Sequence, residues 1–248
     1  GMIGTIFAFD GQTGDLSVLD GSQLDYESMP NTYSFTVRAT DSSSATAEAQ
    51  ITISVNDVNE PPDLAAAVLT INEFAPGSST ARGTLLSGAP APPATDVDGD
   101  PLTYTILSGN TGPSGGTPFA IDPTTGILSA DNAAELDFEV QPTYNLVVEV
   151  RDGDLLRDSE VWTVNVLDVN EAPVIEDQPF SIGDQARDGT VGNPVPGTTL
   201  KGSLVGLVPV EDADTGQSYT YSFVSGNDNY DQAFSIDPST GEIRVKDI

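Results

Sequence analysis

The chain repeats its own wording at a spacing the size of a whole domain. Phe7-Ala8-Phe9-Asp10-Gly11-Gln12-Thr13-Gly14 returns 112 residues later (119 − 7) as Phe119-Ala120-Ile121-Asp122-Pro123-Thr124-Thr125-Gly126. Leu24-Asp25-Tyr26-Glu27 returns as Leu136-Asp137-Phe138-Glu139, and Asp57-Val58-Asn59-Glu60-Pro61 as Asp168-Val169-Asn170-Glu171-Ala172-Pro173. A third copy opens at Phe234-Ser235-Ile236-Asp237-Pro238-Ser239-Thr240-Gly241. Such a period is too long for a solenoid turn and points to a tandem array. The expected organisation is one complete copy over residues 63–173, the second half of a copy over 1–62 and the first half of a copy over 174–248. On this reading the chain is a segment of a longer polypeptide.

Within each copy the hydrophobic pattern alternates with a period of two. Tyr33, Phe35, Val37 and Ala39 form one apolar row, and Ile51, Ile53 and Val55 another. The complete copy repeats them as Tyr144, Leu146, Val148 and Val150, and as Trp162, Val164 and Val166. β-branched and aromatic residues on one face with polar residues between them predict half-buried antiparallel strands. With 24 Gly and 18 Pro as punctuation, no long helical pattern survives. The predicted class is all-β: tandem Greek-key antiparallel β-sandwiches, seven strands in the complete copy. Gly14, Gly126 and Gly241 suit a turn position with positive φ, and Asp10, Asp122 and Asp237 are expected to brace that turn through side-chain to backbone hydrogen bonds. Gly109 to Pro118 reads as an exposed loop, and Pro61-Pro62 and Pro173 as stiffened boundaries.

The charge narrows the chemistry. Thirty-eight acids against 8 Lys plus Arg leave a formal charge of −30, which disfavours nucleic acid and anionic membranes, since phosphates demand a basic face. Cys and His are both absent, so disulfides, zinc clusters and Ser–His or Cys–His nucleophiles are excluded, while a hard, oxygen-seeking ion is not. No apolar stretch approaches membrane-spanning length and no signal peptide is visible. Asp96 and Asp98 stand two apart, as do Asp25 with Glu27 and Asp137 with Glu139. On a strand each pair would point to one face, where like charges repel unless a cation lies between them. Calcium takes about six to eight oxygens in a loose shell, whereas magnesium holds a tight octahedron with several waters. Acids gathered from both sides of a Pro-stiffened linker suit the larger ion.

With these motifs in register, the chain resembles tandem cadherin repeats of the bacterial kind. The residues that carry the resemblance are Ile71-Asn72-Glu73; Asp96-Val97-Asp98 and Asp212-Ala213-Asp214; the Leu24 and Leu136 motifs; Ala39-Thr40-Asp41 and Val150-Arg151-Asp152; and the two linkers. The linkers depart from the family pattern, with Glu60 and Glu171 in place of an Asp and no Asn following. The resemblance implies several calcium ions at each linker. At the first the implied ligands are Asp25, Glu27, Asn59, Glu60, Asp96, Asp98 and Asp152. At the second they are Glu73, Asp137, Glu139, Asn170, Glu171, Asp212 and Asp214, with Asp184 where Glu73 falls in the preceding copy. Asp57 and Asp168 are read as caps of the linker turn.

Plainer roles are expected elsewhere. Trp162 aligns with Ile51 and is read as core rather than a sugar-stacking platform, and Tyr26 and Phe138 likewise as core. Paired carboxylates also serve glycosidases, but here they recur at each boundary, where a structural role is simpler, so no enzyme is expected. The leading function is a calcium-rigidified extracellular repeat array, an adhesive rod or adhesin stalk whose parent protein is secreted or surface-anchored. The alternative is an accessory or carbohydrate-binding module of a secreted enzyme. The expected partners are protein, homophilic or otherwise, and include head-to-tail complementation between the two half-copies; membrane insertion of this segment is not expected.

Overall fold

A computed structural model of the chain describes residues 2–3, 6–75, 80–88, 93–183, 201–225 and 233–246. Residues 2–62 hold strands β1 (Met2–Ile3), β2 (Phe7–Phe9), β3 (Leu16–Val18), β4 (Thr32–Thr40) and β5 (Thr46–Ser54). Residues 63–173 hold β6 (Asp63–Leu64), β7 (Ala67–Asn72), β8 (Ala94–Thr95), β9 (Thr103–Ser108), β10 (Phe119–Ile121), β11 (Leu128–Ala130), β12 (Thr143–Arg151) and β13 (Arg157–Leu167). Beyond them come β14 (Leu204–Leu207), β15 (Phe234–Ile236) and β16 (Glu242–Val245). The all-β expectation is met; the only helical elements among the described residues are 3-10 turns at Gly21–Gln23 and Ala133–Glu135.

The middle segment packs a four-stranded sheet, in the order β7-β13-β12-β9, against the short pairs β10-β11 and β6-β8. Two expectations need correction. Among the described residues the segment has eight strands rather than seven, and the sheet is not wholly antiparallel: β7 runs parallel to β13, pairing Val164 with Leu69 and Val166 with Ile71. Parallel neighbours need a crossover between them, and the chain makes one through the rest of the sandwich. The alternating rows do what their period dictates. Tyr144, Leu146, Val148, Val150, Trp162, Val164 and Val166 are all at most 2% exposed and form one cluster with Leu69, Ile71, Phe119, Leu128 and Leu136. Burying such side chains is worth roughly 1.5–3 kcal/mol each.

The repeated turn is the same device three times. Asp10, Asp122 and Asp237 each accept two backbone N–H groups, those of Gln12 and Thr13, of Thr124 and Thr125, and of Ser239 and Thr240. Gly14, Gly126 and Gly241 follow at φ of 82°, 69° and 72°. At Gly126 a Cβ would also lie 2.8 Å from the Pro93 ring, so the position needs glycine twice over. The Gly109–Pro118 loop is more tightly held than its composition suggests. Asn110 braces Phe119 through both its side-chain amide groups, and the buried Glu135 carboxylate accepts the N–H groups of Ser114 and Gly116 at 2.8 and 3.1 Å.

Candidate metal centres

The acids of the two boundaries are positioned by turns, not by strands. Asp96 and Asp98 follow β8 in a bend where Asp96 Oδ1 accepts the N–H of Asp98 at 3.0 Å and that of Asp100 at 3.4 Å. In the second boundary Asp212 Oδ1 accepts the N–H of Asp214 at 3.1 Å. Asp25 accepts the N–H groups of Glu27 and Ser28, and Asp137 that of Val140. The strand geometry expected for these pairs is therefore replaced by local Asx-type turns. At Asp96 and Asp212 such a turn occupies one carboxylate oxygen with backbone and leaves the other without a hydrogen-bond partner, whereas at Asp25 the second oxygen accepts the Ser28 hydroxyl.

The linkers then dock onto those turns in the same way twice. Glu60 donates its N–H to Asp98 Oδ2 at 2.9 Å, and Glu171 donates its N–H to Asp214 Oδ2 at 2.8 Å. Asn59 donates Nδ2 to Asp152 Oδ2 at 2.8 Å, and Asn170 accepts from Gln217 at 2.9 Å. Asp152, buried in the turn after β12, also accepts the N–H of Leu156. Glu73 is buried at the end of β7, where its two oxygens accept the N–H groups of Phe138 at 2.8 Å and Val169 at 2.7 Å. One side chain thus ties a strand end, the 136–140 turn and the linker together.

Three groups of carboxylates converge so that an oxygen from each lies within 4.8 Å of the others: Glu27, Asp57 and Asp98; Glu73, Asp137 and Glu139; and Glu139, Asp168 and Asp214. Of the residues expected from the sequence, these groups bring together Glu27 and Asp98 at the first boundary, and Glu73, Asp137, Glu139 and Asp214 at the second. Asp25, Asn59, Glu60, Asp96 and Asp152, and Asn170, Glu171 and Asp212, flank those groups through the contacts just described or through charge. Asp184 lies outside the described residues. Sequence reasoning missed Asp57 and Asp168, which stand in the groups rather than only capping a turn. The signal was their recurrence, in register, as the first residue of both linkers.

The electrostatics are those of an uncompensated acidic site. Partial desolvation, then repulsion from Glu60, Asp57 and Asp98, pushes Glu27 above the usual carboxylate range. Desolvation and the neighbouring acids do the same to Glu60, Asp100, Glu139, Asp168 and Glu171. Arg38, Arg82, Arg151, Arg157 and Arg244 pair with Glu48, Asp131, Glu149 and Glu242, none of which belongs to the groups. Among the described residues four shielded carboxylate oxygens have no hydrogen-bond partner: Asp96 Oδ2, Asp98 Oδ1, Glu171 Oε2 and Asp212 Oδ2. A buried carboxylate oxygen without a donor is costly unless a cation takes its place. An all-oxygen donor set without nitrogen or sulfur fits a hard divalent ion.

Trp162 offers no sugar platform. It is 0% exposed, and its Nε1 donates to Ala65 O at 2.9 Å. Phe138 packs partly against the core, as expected.

Residues 93–167 match the cadherin domain family. The cadherin likeness extends beyond that stretch. Human Cadherin-related family member 2 is 30% identical over 222 residues, which cover 84% of this chain and 15% of the relative. Human Protocadherin Fat 1 is 30% identical over 253 residues, 98% of this chain and 5% of its own length. The chain thus spans a small part of the curated relatives it matches. The crystal structure of mouse Cadherin-23 EC22-24 superposes with a TM-score of 0.62 at 24% identity, covering 98% of this chain and 72% of that one. At that identity the likeness shows the fold: tandem cadherin-type β-sandwiches. These relatives are animal proteins, so they support the cadherin part of the sequence reading and lend nothing to its bacterial part.

Proposed function

We propose that the chain is a calcium-rigidified piece of an extracellular cadherin-repeat array, organised as units 1–62, 63–173 and 174–248, that serves adhesion or holds an adhesive part away from a surface. The observation that carries this reading is the pair of boundaries. Each gathers carboxylates from the unit before, the linker and the unit after, with shielded oxygens left without donors. Calcium bound there would replace repulsion with attraction and fix the angle between neighbouring units. At the first boundary the proposed ligands are Asp25, Glu27, Asn59, Glu60, Asp96, Asp98 and Asp152, with Asp57 added. At the second they are Glu73, Asp137, Glu139, Asn170, Glu171, Asp212 and Asp214, with Asp168 added. The tandem arrangement, the net charge of −30 and the lack of Cys and His suit a secreted or surface-anchored parent in millimolar calcium. Among the described residues no helix is long and apolar enough to cross a membrane.

Calorimetric titration with calcium, paired with small-angle scattering in calcium and in chelator, tests the proposal. Heat of binding with a narrower distribution of interparticle distances in calcium is the expected result. Asp98→Ala should lose calcium affinity, whereas Asp122→Ala, which removes only a turn brace, should keep it. Absence of binding heat, or equal loss in both variants, would count against the assignment.

A further inference from the structure

The outer face of the middle segment differs from the matching face of the first. The β12–β13 and β4–β5 hairpins pair alike, so each outward residue of one has a counterpart 111 positions away in the other (144 − 33). Where Thr36 pairs with Gln50 in the first hairpin, Val147 pairs with Val161 in the second. The fold does not require that valine pair, because the same hairpin forms with polar residues in its place. Val161 is 50% exposed and Val147 half-buried. Leu107, in the bulge where β9 meets Val147 and Val148, is 51% exposed. Val68 of β7 pairs with Thr163, the next outward residue after Val161, and is 63% exposed. An apolar stripe thus crosses all four strands of the sheet on the side away from the core.

The tip of the same hairpin carries a second apolar difference. Leu155 is held at φ 72° and is 70% exposed, where the matching turn of the first hairpin places Ser44 at φ 68°. A left-handed backbone is costly for leucine, and Ser44 shows that the turn does not need one. The charge of the face stands out as well. Among the outward residues of β7, β9, β12 and β13 the acid is Glu149 and the bases are Arg151 and Arg157. Asp158 and Glu160 fall on the inward side, in step with Trp162. Glu149 is 4% exposed and accepts from both arginines, which are themselves exposed. The face therefore has a net charge of +1 (2 − 1) on a chain of −30. Two copies that meet through acidic surface repel, whereas two that meet here do not.

We propose that this outer face joins two copies of the chain, packed face to face about a twofold axis near the Val147–Val161 pair, with the strands of the two copies antiparallel. The proposal rests on the adhesive reading above and adds to it a surface and a partner. Both arginines lie at one end of the face, and the outward residues at the other end, Thr143, Asn145, Asn165 and Leu167, carry no charge. Antiparallel packing sets each arginine pair against amide and hydroxyl oxygens that accept from it. Parallel packing would set four arginines together. The antiparallel contact is isologous, each copy giving the same patch. Strands about 4.8 Å apart, rising roughly 3.3 Å per residue, outline a face of about 500 Å², so two faces bury about 1,000 Å². That is the lower bound of a specific contact, so the association is reversible.

Sedimentation of the whole chain, in calcium and in chelator, tests the contact. Association should grow with concentration. Val147→Thr combined with Val161→Gln installs the first hairpin's own Thr36–Gln50 pair, which that hairpin tolerates. The double variant should associate at least about tenfold more weakly, with circular dichroism and the fluorescence of Trp162, the single Trp, unchanged. The chain has no Cys, so an introduced one reports the contact without background. Val161→Cys, close to the axis, should link two chains under mild oxidation. Ile127→Cys, at a position 45% exposed beside β11 in the other layer, should not. A chain that stays monomeric at its highest soluble concentration would overturn the proposal and leave the face to a different protein. Association unchanged in the double variant, or linkage equal at the two cysteines, would overturn it too. Calcium binding without association sinks this contact alone, and association without heat of calcium binding sinks the calcium reading alone.

Discussion

The β4–β5 and β12–β13 hairpins share a pattern and a register, yet one lies open and the other is sealed. No residue of β4 or β5 is fully buried, whereas the apolar inward row of β12 and β13, Tyr144, Leu146, Val148, Val150, Trp162, Val164 and Val166, lies at 2% exposure or less. The polar partner differs too. The Tyr144 hydroxyl donates to Glu135 O at 2.7 Å, while the hydroxyl of its counterpart Tyr33 is shielded without a partner. Alternation of apolar and polar residues is therefore enough to form a hairpin and set its register. Burial needs strands from elsewhere in the same repeat, and among the described residues the middle segment has both flanks in place.

The sharpest way to break that comparison is truncation inside each hairpin. Trp162→Ala should cost about 3–5 kcal/mol of stability in a denaturant melt. Ile51→Ala, at the matching position, should cost less than about 1 kcal/mol while its face stays open. Equal costs would show that the β4–β5 row is already covered in solution. Glu73→Ala comes next. It leaves the N–H groups of Phe138 and Val169 without their acceptor, at about 1–3 kcal/mol for each. Glu27→Ala, at an exposed position of the other boundary, should leave calcium-free stability nearly unchanged, and the two melts compared in chelator decide it.

Calcium itself is the next effect down. With a dissociation constant of order 10⁻⁴ M for an extracellular site, roughly 1 mM calcium adds about 1.4 kcal/mol per independent site. A chelator should lower the melting temperature accordingly, and an unchanged melt would reduce the acid groups to solvated surface. The smallest effect is that of pH, and its sign divides the carboxylates into two sets. The boundary acids Glu27, Glu60, Asp100, Glu139, Asp168 and Glu171 are raised, by desolvation and then by one another, so the folded chain favours their neutral form. Their contribution is complete below the unfolded carboxylate range and is lost as pH climbs through the raised values. Calcium-free stability should fall over that window, while calcium affinity should rise, because the ligands must be ionised. The turn acids Asp10, Asp122 and Asp237 are lowered by the backbone N–H groups they accept, so their contribution is lost instead as pH falls. Melts across mildly acidic pH, with and without calcium, distinguish the two sets.

The sequence alone determined the repeat, the strands and the inward rows, because a period of two has one way to face a core. It also marked Asp96, Asp98, Asp212 and Asp214 by their spacing and recurrence, although it read the pairs as strand residues where the fold makes turns, and it marked the glycines of the repeated turn, since local turn chemistry acts within a few residues. Only the tertiary structure decided that β7 joins β13 in parallel. That pairing links residues nearly a hundred positions apart, and nothing in either strand's alternation specifies direction. Only the tertiary structure, too, drew Asp57 and Asp168 into the acid groups and buried Glu73 between the N–H groups of Phe138 and Val169. Convergence of charges from three separate turns depends on how the units abut, and that is fixed by packing across the boundary rather than by spacing along the chain.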